Sequence, residues 1–315
     1  MRKLNKLSIV IPCHNEEEIL DSSYTRLRTV LSFLIEKKMI KTYELLFVNN
    51  GSTDSTENVL MNIFDKDELV RVVTLRKNFG YQGSISAGLY HSDGDAVVTI
   101  DSDLQDPPEK IEEMVQHYQN GYDLVLGVKT DRSTDSWAKR FFSENYYRVS
   151  RILGVNIEYN HGDFRLMSSE LVKEYNKLKE RNRLIRGLVF ELESKYEKVY
   201  YKREKREVGK TKFSPSDLFG LSLDGFVSFS FAPLRVASFI GLFICFLSII
   251  SSIWVLYQRF TSEIVPGWAS ITLPIFALGG IQLLILGIIG EYIGRLYTEV
   301  KERPLFIVKK EYTHN

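Results

Sequence analysis

The sequence predicts an α/β domain with a mainly parallel sheet, followed by two membrane-spanning helices. Over residues 1–130, short apolar runs rich in Val, Ile and Leu alternate with amphipathic stretches. Such alternation is typical of buried parallel strands connected by helices that cover both faces of a sheet. Two uncharged apolar runs follow, at 236–257 and 271–289. At 1.5 Å per residue, each run is long enough to cross a hydrocarbon core of about 30 Å.

The elements of the first domain follow from this alternation. Thr53-Asp54-Ser55 is expected to cap a helix that follows the second strand. Because parallel strands end at one edge of a sheet, three polar clusters at 12–17, 49–54 and 101–106 are expected to meet in one crevice. The predicted strands are 7–11, 43–48, 70–75, 96–100 and 123–127, with helices at 16–38 and 81–92. Residues 134–212 are less regular, with predicted helices at 135–153 and 168–180 and strand pieces at 163–167 and 197–202.

The composition excludes several classes of protein. The chain has 315 residues, of which 44% are hydrophobic and 26% charged, as in packed proteins and unlike disordered ones. Its 41 basic and 40 acidic residues give a net charge of +1, so no nucleic-acid partner is expected. Cys13 and Cys245 cannot form a disulfide framework or a cysteine-rich zinc site.

Charge places the large domain relative to the membrane. The apolar run 7–12 is too short for a signal peptide, and three glutamates follow it. Basic residues are enriched at 195–212 and again after the second apolar run, which predicts that the large domain and both termini are cytoplasmic. The predicted parts are a domain at 1–212, an amphipathic interfacial segment at 213–232, two spans within 233–297 (about 236–257 and 271–290) and a basic tail at 298–315. A buried core hairpin is the alternative for the two apolar runs.

An acidic segment follows the fourth predicted strand. Asp101, Asp103 and Asp106 lie within six residues there. Carboxylates this close together repel one another unless a cation neutralises them. Oxygen ligands of this kind suit Mg²⁺ or Mn²⁺. The alternative is a solvated acidic turn in which Asp106 caps a helix.

With these motifs the chain resembles glycosyltransferase family 2. Within it, the chain looks like the polyisoprenyl-phosphate glycosyltransferases, the group that includes dolichyl-phosphate mannose synthase and bacterial undecaprenyl-phosphate glucosyl- and N-acetylglucosaminyltransferases. Asp101-Ser102-Asp103 is similar to the DXD motif of that family, and the resemblance covers nearly the whole chain. The other matching segments are 9–17, 49–54, 162–166, 206–213, 228–235 and 290–297.

The resemblance implies a GT-A fold, a UDP-linked sugar donor and a set of site residues. Asp163 matches the candidate base of the family; an orienting or weakly basic role is expected for it, and a structural pairing with Arg165 is the alternative. Asn50 stands where the family usually has the Asp that accepts the uracil N3–H, and an amide oxygen can accept that bond too.

The implied nucleotide-sugar-binding residues are Pro12, His14, Asn15, Glu16, Asn50 and Asp101. The implied metal ligands are Asp101, Asp103 and Gln105, and the implied catalytic residues are Asp163 and Asp103. The expected acceptor-phosphate-binding residues are Lys129, Arg132, Lys139, Arg140, Arg206 and Lys212.

The function implied is an inverting, metal-dependent transfer of a hexose from UDP-glucose or UDP-N-acetylglucosamine to undecaprenyl phosphate. The lipid-linked sugar would serve cell-envelope glycan modification at the bacterial plasma membrane. A processive polysaccharide synthase is one alternative, although Gln258-Arg259-Phe260 does not match its Gln-x-x-Arg-Trp motif. A non-catalytic nucleotide-binding membrane scaffold is another, favoured only by Asn49-Asn50. The sequence does not determine which sugar is transferred, nor whether the chain forms a homo-oligomer.

Overall fold

The computed structural model describes residues 2–130, 160–181, 183–204 and 268–314, with residues 239–241, 243, 244, 246 and 250. These residues belong to two compact units. One unit contains the described residues between 2 and 204 together with 303–314, and the other contains the described residues between 239 and 302.

An eight-stranded sheet organises the described residues of the first unit. Its strand order is β7-β5-β6-β4-β1-β2-β3-β8. The pairs β1–β2, β1–β4, β2–β3 and β5–β7 are parallel, so the sheet is mainly parallel, as predicted. The strands are β1 (Lys6–Cys13), β2 (Thr42–Asn49), β3 (Val70–Leu75), β4 (Ala96–Thr99), β5 (Leu124–Lys129), β6 (His161–Ser168), β7 (Tyr196–Tyr201) and β8 (Val308–Tyr312).

Helices cover both faces of this sheet. In α3, a Cβ on Gly88 would lie 2.2 Å from Cγ1 of Val10, so only glycine lets this helix approach β1 so closely. On the opposite face, Leu27 of α1 and Met114 of α4 are fully buried in the core. Each such side chain contributes about 1.5–3 kcal/mol through burial. The helices of this unit are α1 (Leu20–Glu36), α2 (Thr56–Phe64), α3 (Gly80–His91), α4 (Ile111–Gln119), α5 (Ser169–Lys177) and α6 (Ile185–Leu192), with a 3₁₀ turn at Pro108–Lys110.

Strand β6 runs antiparallel to both of its neighbours, which the sequence did not indicate. It pairs with β4 and β5, with Thr99 opposite Arg165 and Val128 opposite His161. Because its direction is reversed, the beginning of β6 lies at the same sheet edge as the carboxyl ends of β4 and β5. Alternation along the strand places His161, Asp163 and Arg165 on one face.

The C-terminal segment adds a strand where the sequence analysis expected only a basic tail. Strand β8 is the outermost strand on one side of the sheet and pairs antiparallel with β3. The Arg76 N–H donates to the Ile307 carbonyl at 2.9 Å. Arg71 and Glu311 form an ion pair at 2.8 Å. This edge of the sheet is therefore closed by residues distant in the sequence.

The second unit contains one long described helix, α7 (Trp268–Val300). Its 33 residues extend for about 50 Å. It includes the predicted span 271–290, and the stretch Ile281–Val300 is long and apolar enough to cross a membrane. Leu283 and Leu286 on it are 71% and 61% exposed. Most of the predicted first span and all of the interfacial segment 213–232 lie outside the described residues, so the two-helix hairpin stays a prediction.

Candidate active site

The turns after β1 and β2 are bonded directly to each other. Asn15, with φ at +54°, donates its backbone N–H to Oγ of Ser52 at 3.1 Å and accepts the Thr53 N–H at 2.8 Å through its side chain. The Glu16 N–H donates to Oγ1 of Thr56 at 2.9 Å. Two of the three predicted polar clusters therefore form one surface, with Pro12 buried just below it.

The turn after β3 joins the same surface. Nδ2 of Asn78 donates to Nε2 of His14 at 3.1 Å. Asn50 is buried beneath this turn and bonds to it with both ends of its side-chain amide. His14 and Asn50, both predicted from the sequence, are thus brought together through Asn78, which sequence reasoning missed.

Asp101 lies beyond the end of β4 and contacts the start of α3. The Tyr81 hydroxyl donates to Oδ1 of Asp101 at 2.6 Å. Burial, together with the charges of Asp163, Asp106 and Asp103, raises the pKa of Asp101 to about 6, while the Tyr81 hydrogen bond opposes that rise. Tyr81 was missed by the sequence analysis. Its position in the first turn of a helix that follows a strand could have indicated it, because ligands of such folds bind at the carboxyl ends of the strands.

The rest of the acidic turn contacts the segment after β7. Oδ1 of Asp103 accepts the Gln105 N–H at 3.2 Å. The Gln105 carbonyl accepts the Glu204 N–H at 2.9 Å, and Nε2 of Gln105 donates to the Glu204 carbonyl at 3.3 Å. Arg26 of α1 binds both Glu109 and Glu204 with paired hydrogen bonds. Glu204, which lies within the basic stretch 195–212, is therefore bonded to the acidic turn.

The donor atoms of this turn fit a divalent cation. They are the carboxylates of Asp101 and Asp103 and the amide oxygen of Gln105, all hard oxygen ligands. Asp106 adds a buried carboxylate whose Oδ1 accepts no hydrogen bond. Within the described residues, no three His, Cys, Asp or Glu side chains are grouped closely enough to hold a metal by themselves. Mg²⁺ is commonly held by one or two carboxylates together with substrate phosphates, so these residues would need a bound phosphate to complete such a site.

Asp163 is buried at the beginning of β6 between two arginines. Its Oδ1 accepts from Nη2 of Arg165 at 2.8 Å, and Nε of Arg186 lies 3.1 Å from both carboxylate oxygens. Burial alone would raise the pKa of Asp163, but the charge and hydrogen bonds of Arg186 and the charge of Arg165 hold that pKa well below its usual range. The contact with Arg165, which the sequence analysis gave as the alternative to an orienting or weakly basic role, is present. Arg186 was missed, although it is the one charged residue in the apolar run 184–190.

Two cationic side chains, those of Lys129 and Arg203, lie against Asp106. Nζ of Lys129 is 3.7 Å from Oδ1 of Asp106, and Nε of Arg203 is 3.9 Å from the same atom. A Cβ on Gly162 would lie 3.3 Å from Nζ of Lys129, so glycine leaves room for this side chain. Asp106 is therefore a partner of cations, and no side-chain cap by it is found at the 3₁₀ turn. The other predicted acceptor-binding residues lie outside the described residues: Arg132, Lys139, Arg140, Arg206 and Lys212.

Comparison with known proteins decides the family. Residues 8–176 match the family described as Glycosyl transferase family 2. The chain belongs to glycosyltransferase family 2. Its fold is accordingly GT-A-like. A mycobacterial protein of known crystal structure shares this fold, with a TM-score of 0.50 and 20% identity over 71% of this chain and 73% of that one.

Full-length relatives of this glycosyltransferase are found in bacteria and phages. The SfII prophage-derived bactoprenol glucosyl transferase of Shigella flexneri is 40% identical over 314 residues, covering 98% of this chain and 99% of the relative. A prophage bactoprenol glucosyl transferase homolog of Escherichia coli K12 is 39% identical over 309 residues, covering 97% and 99%. The enzyme class predicted from the sequence is therefore confirmed.

Proposed function

We propose that this glycosyltransferase transfers a hexose from a UDP-sugar to a polyprenyl phosphate such as undecaprenyl phosphate. The observation that carries the proposal is the meeting of opposite charges at one end of the sheet: Asp101 is close enough to Asp103, Asp106 and Asp163 to feel their charges, and Lys129 and Arg203 lie against Asp106. Relatives named bactoprenol glucosyl transferases, 40% identical along nearly the whole chain, support a polyprenyl acceptor and favour glucose as the sugar.

The acidic turn is proposed to receive the donor diphosphate. Asp101, Asp103 and Gln105 would hold Mg²⁺ or Mn²⁺, which neutralises negative charge that develops on a leaving diphosphate. Tyr81 keeps Asp101 in place by its 2.6 Å hydrogen bond. The joined turns around Asn15, Asn50 and His14 are proposed to form the nucleotide end of the site, with Pro12 and Glu16.

The acceptor needs little help from a base. A phosphate monoester has a second pKa of about 6, so near pH 7 it is mostly a dianion and already nucleophilic. Asp163, with its depressed pKa, is a poor proton acceptor at that pH. Its proposed role is to orient Arg186, whose side chain is 43% exposed. Attack by a phosphate oxygen on the anomeric carbon, opposite to the leaving diphosphate, would invert the configuration there.

Cations are proposed to hold the lipid head group. Burial lowers the pKa of Lys129, and its position beside Asp106 places an ammonium group at the crevice. Guanidinium groups can bind phosphate oxygens in pairs, and Arg132, Lys139, Arg140, Arg206 and Lys212 are proposed to join Lys129. The apolar surface of α7 supports anchorage in the plasma membrane, with two spans and cytoplasmic termini as the proposed topology.

A product assay tests the proposal. Purified full-length protein in detergent would be given undecaprenyl phosphate, Mg²⁺ and a panel of nucleotide sugars carrying radiolabelled hexoses. We expect one lipid-linked monosaccharide, formed best from one UDP-sugar. A growing polymer would indicate a processive synthase, and nucleotide binding with no transfer to any acceptor would contradict the proposal.

A further inference from the structure

We propose that Asn50 is a positioning residue whose amide fastens the turn at 77–80 to the nucleotide end of the site, and that a carboxylate cannot replace it. The effect on the donor rests on the function proposed above. The fastening of the turn is a property of the fold and can be measured independently.

The orientation of the Asn50 amide is fixed by two backbone groups. Its Nδ2 donates to the Gly80 carbonyl at 3.0 Å, and its Oδ1 accepts the Phe79 N–H at 2.9 Å. Of the two ends of a side-chain amide, only the NH₂ can donate to a carbonyl and only the oxygen can accept from an N–H. The two ends of the side chain are therefore chemically distinct, and both are needed.

A second asparagine completes this arrangement. Oδ1 of Asn78 accepts from Nδ2 of Asn50 at 3.1 Å and from the Gly80 N–H at 2.8 Å. Its Nδ2 then faces Nε2 of His14. Both hydrogens of the Asn50 amide thus have acceptors, while Asn50 itself is only 4% exposed. A buried side chain whose donors are all used has little freedom to move.

The backbones of the two turns are in close contact. Gly51 has φ at +61°, and a Cβ on it would lie 2.3 Å from the carbonyl carbon of Lys77. The Asn50 N–H also donates to the Cys13 carbonyl at 2.8 Å. The residue after Gly80 is Tyr81, whose hydroxyl binds Asp101. Asn50 therefore positions the nucleotide end through Asn78 and His14, and the acidic turn through Gly80 and Tyr81.

An aspartate at position 50 would face two oxygen atoms. Its second carboxylate oxygen would replace Nδ2 and would meet the Gly80 carbonyl and Oδ1 of Asn78, both of which are acceptors. Reversing the Asn78 amide would remove one of these clashes, but it would end the bond from the Gly80 N–H to Asn78. Because an unsatisfied buried polar group is destabilising, we expect the turn at 77–80 to loosen.

The test compares Asn50→Asp with the control Asn120→Asp. Asn120 is exposed at the end of α4, so the control adds the same charge away from the turn. In Asn50→Asp we expect the donor KM to rise by about tenfold or more, the change for about 1.4 kcal/mol, with the acceptor KM within about twofold. Amide hydrogen exchange in the peptide covering 77–81 should become faster in Asn50→Asp alone.

Two further results keep the proposal open to refutation. An unchanged or lower donor KM in Asn50→Asp, with unchanged exchange at 77–81, would overturn it. If Asn50→Asp does not fold, Asn78→Ala replaces it in the test, because Asn78 is exposed. We expect Asn78→Ala to raise the donor KM by less than tenfold and to leave the acceptor KM unchanged. An equal rise in both KM values would count against the proposal. If the wild type transfers no sugar, the proposed function fails, while the exchange measurement still tests the role of Asn50.

Discussion

Replacing Arg186 by alanine removes one of the two guanidinium groups that hold Asp163 ionised. Asp163 would keep its 2.8 Å contact with Arg165, but it would lose its contacts with Nε and Nη2 of Arg186. We expect the pKa of Asp163 to rise toward the value set by burial. The folded protein should then become less stable near neutral pH, where Asp163 is ionised.

The structure sets the size and the sign of this effect. Removing one partner of a buried ion pair costs about 3–5 kcal/mol, but Arg186 is 43% exposed and solvent screens its charge. Since Arg165 also stays in place, we expect a loss of about 1–2 kcal/mol. A depressed carboxylate pKa contributes stability that is fully present above the unfolded pKa of about 3.9 and is lost as the pH falls through the folded pKa. In Arg186→Ala the folded pKa of Asp163 lies closer to the unfolded value, so the full deficit should be present near pH 7 and should narrow as the pH falls below about 3.9.

Thermal unfolding of the full-length protein in detergent measures this between pH 7 and pH 4. A loss of 1–2 kcal/mol lowers the melting temperature by about 2–8 °C in a domain of this size. The control is Arg76→Ala, since Arg76 is exposed and its backbone N–H, which alanine keeps, donates to the Ile307 carbonyl. Equal melting temperatures for Arg186→Ala and the wild type at every pH would refute the view that Arg186 stabilises the ionised Asp163.

Three further substitutions test the crevice. Asp103→Ala should abolish transfer while the protein stays membrane-bound, whereas Asp21→Ala at an exposed position of α1 should not; appreciable transfer at saturating Mg²⁺ would contradict the metal role. Tyr81→Phe removes one hydrogen bond to the Asp101 carboxylate, and such a bond usually contributes about 1.5–3 kcal/mol. We therefore expect kcat to fall by about 10- to 100-fold while the acceptor KM stays unchanged. An unaltered kcat would show that Asp101 keeps its position without Tyr81. Lys129→Ala should raise the acceptor KM more than the donor KM in steady-state assays, and equal rises would argue against phosphate binding there.

Local patterns predicted most of the first half of the chain. The strand at Val70–Leu75 is found with the bounds predicted, and the other four early strands differ by a few residues. The reason is that strands covered on both faces are apolar runs bounded by polar turns, which are visible in the sequence itself. The DXD segment was also visible, because three carboxylates after a buried strand are unusual without a cation to bind.

Other features depend on contacts between distant segments. Arg186 reaches Asp163 across 23 positions, and the edge strand Val308–Tyr312 pairs with β3, more than 230 positions away. No periodicity records such pairings. Asn50 shows the difference within a single residue: the sequence indicated only a departure from an expected Asp, whereas its two backbone partners show why an amide fits.

By itself, then, the sequence determined most of the strands and helices of residues 1–130, where the acidic turn lies and which enzyme family the chain resembles, because hydrophobic periodicity and short motifs are local properties. The tertiary structure decided the direction of β6, the pairing of Asp163 with Arg186 and the use of Asn50. These depend on which side chains meet when the strand ends converge, and the charges that surround a buried carboxylate there set whether its pKa rises or falls.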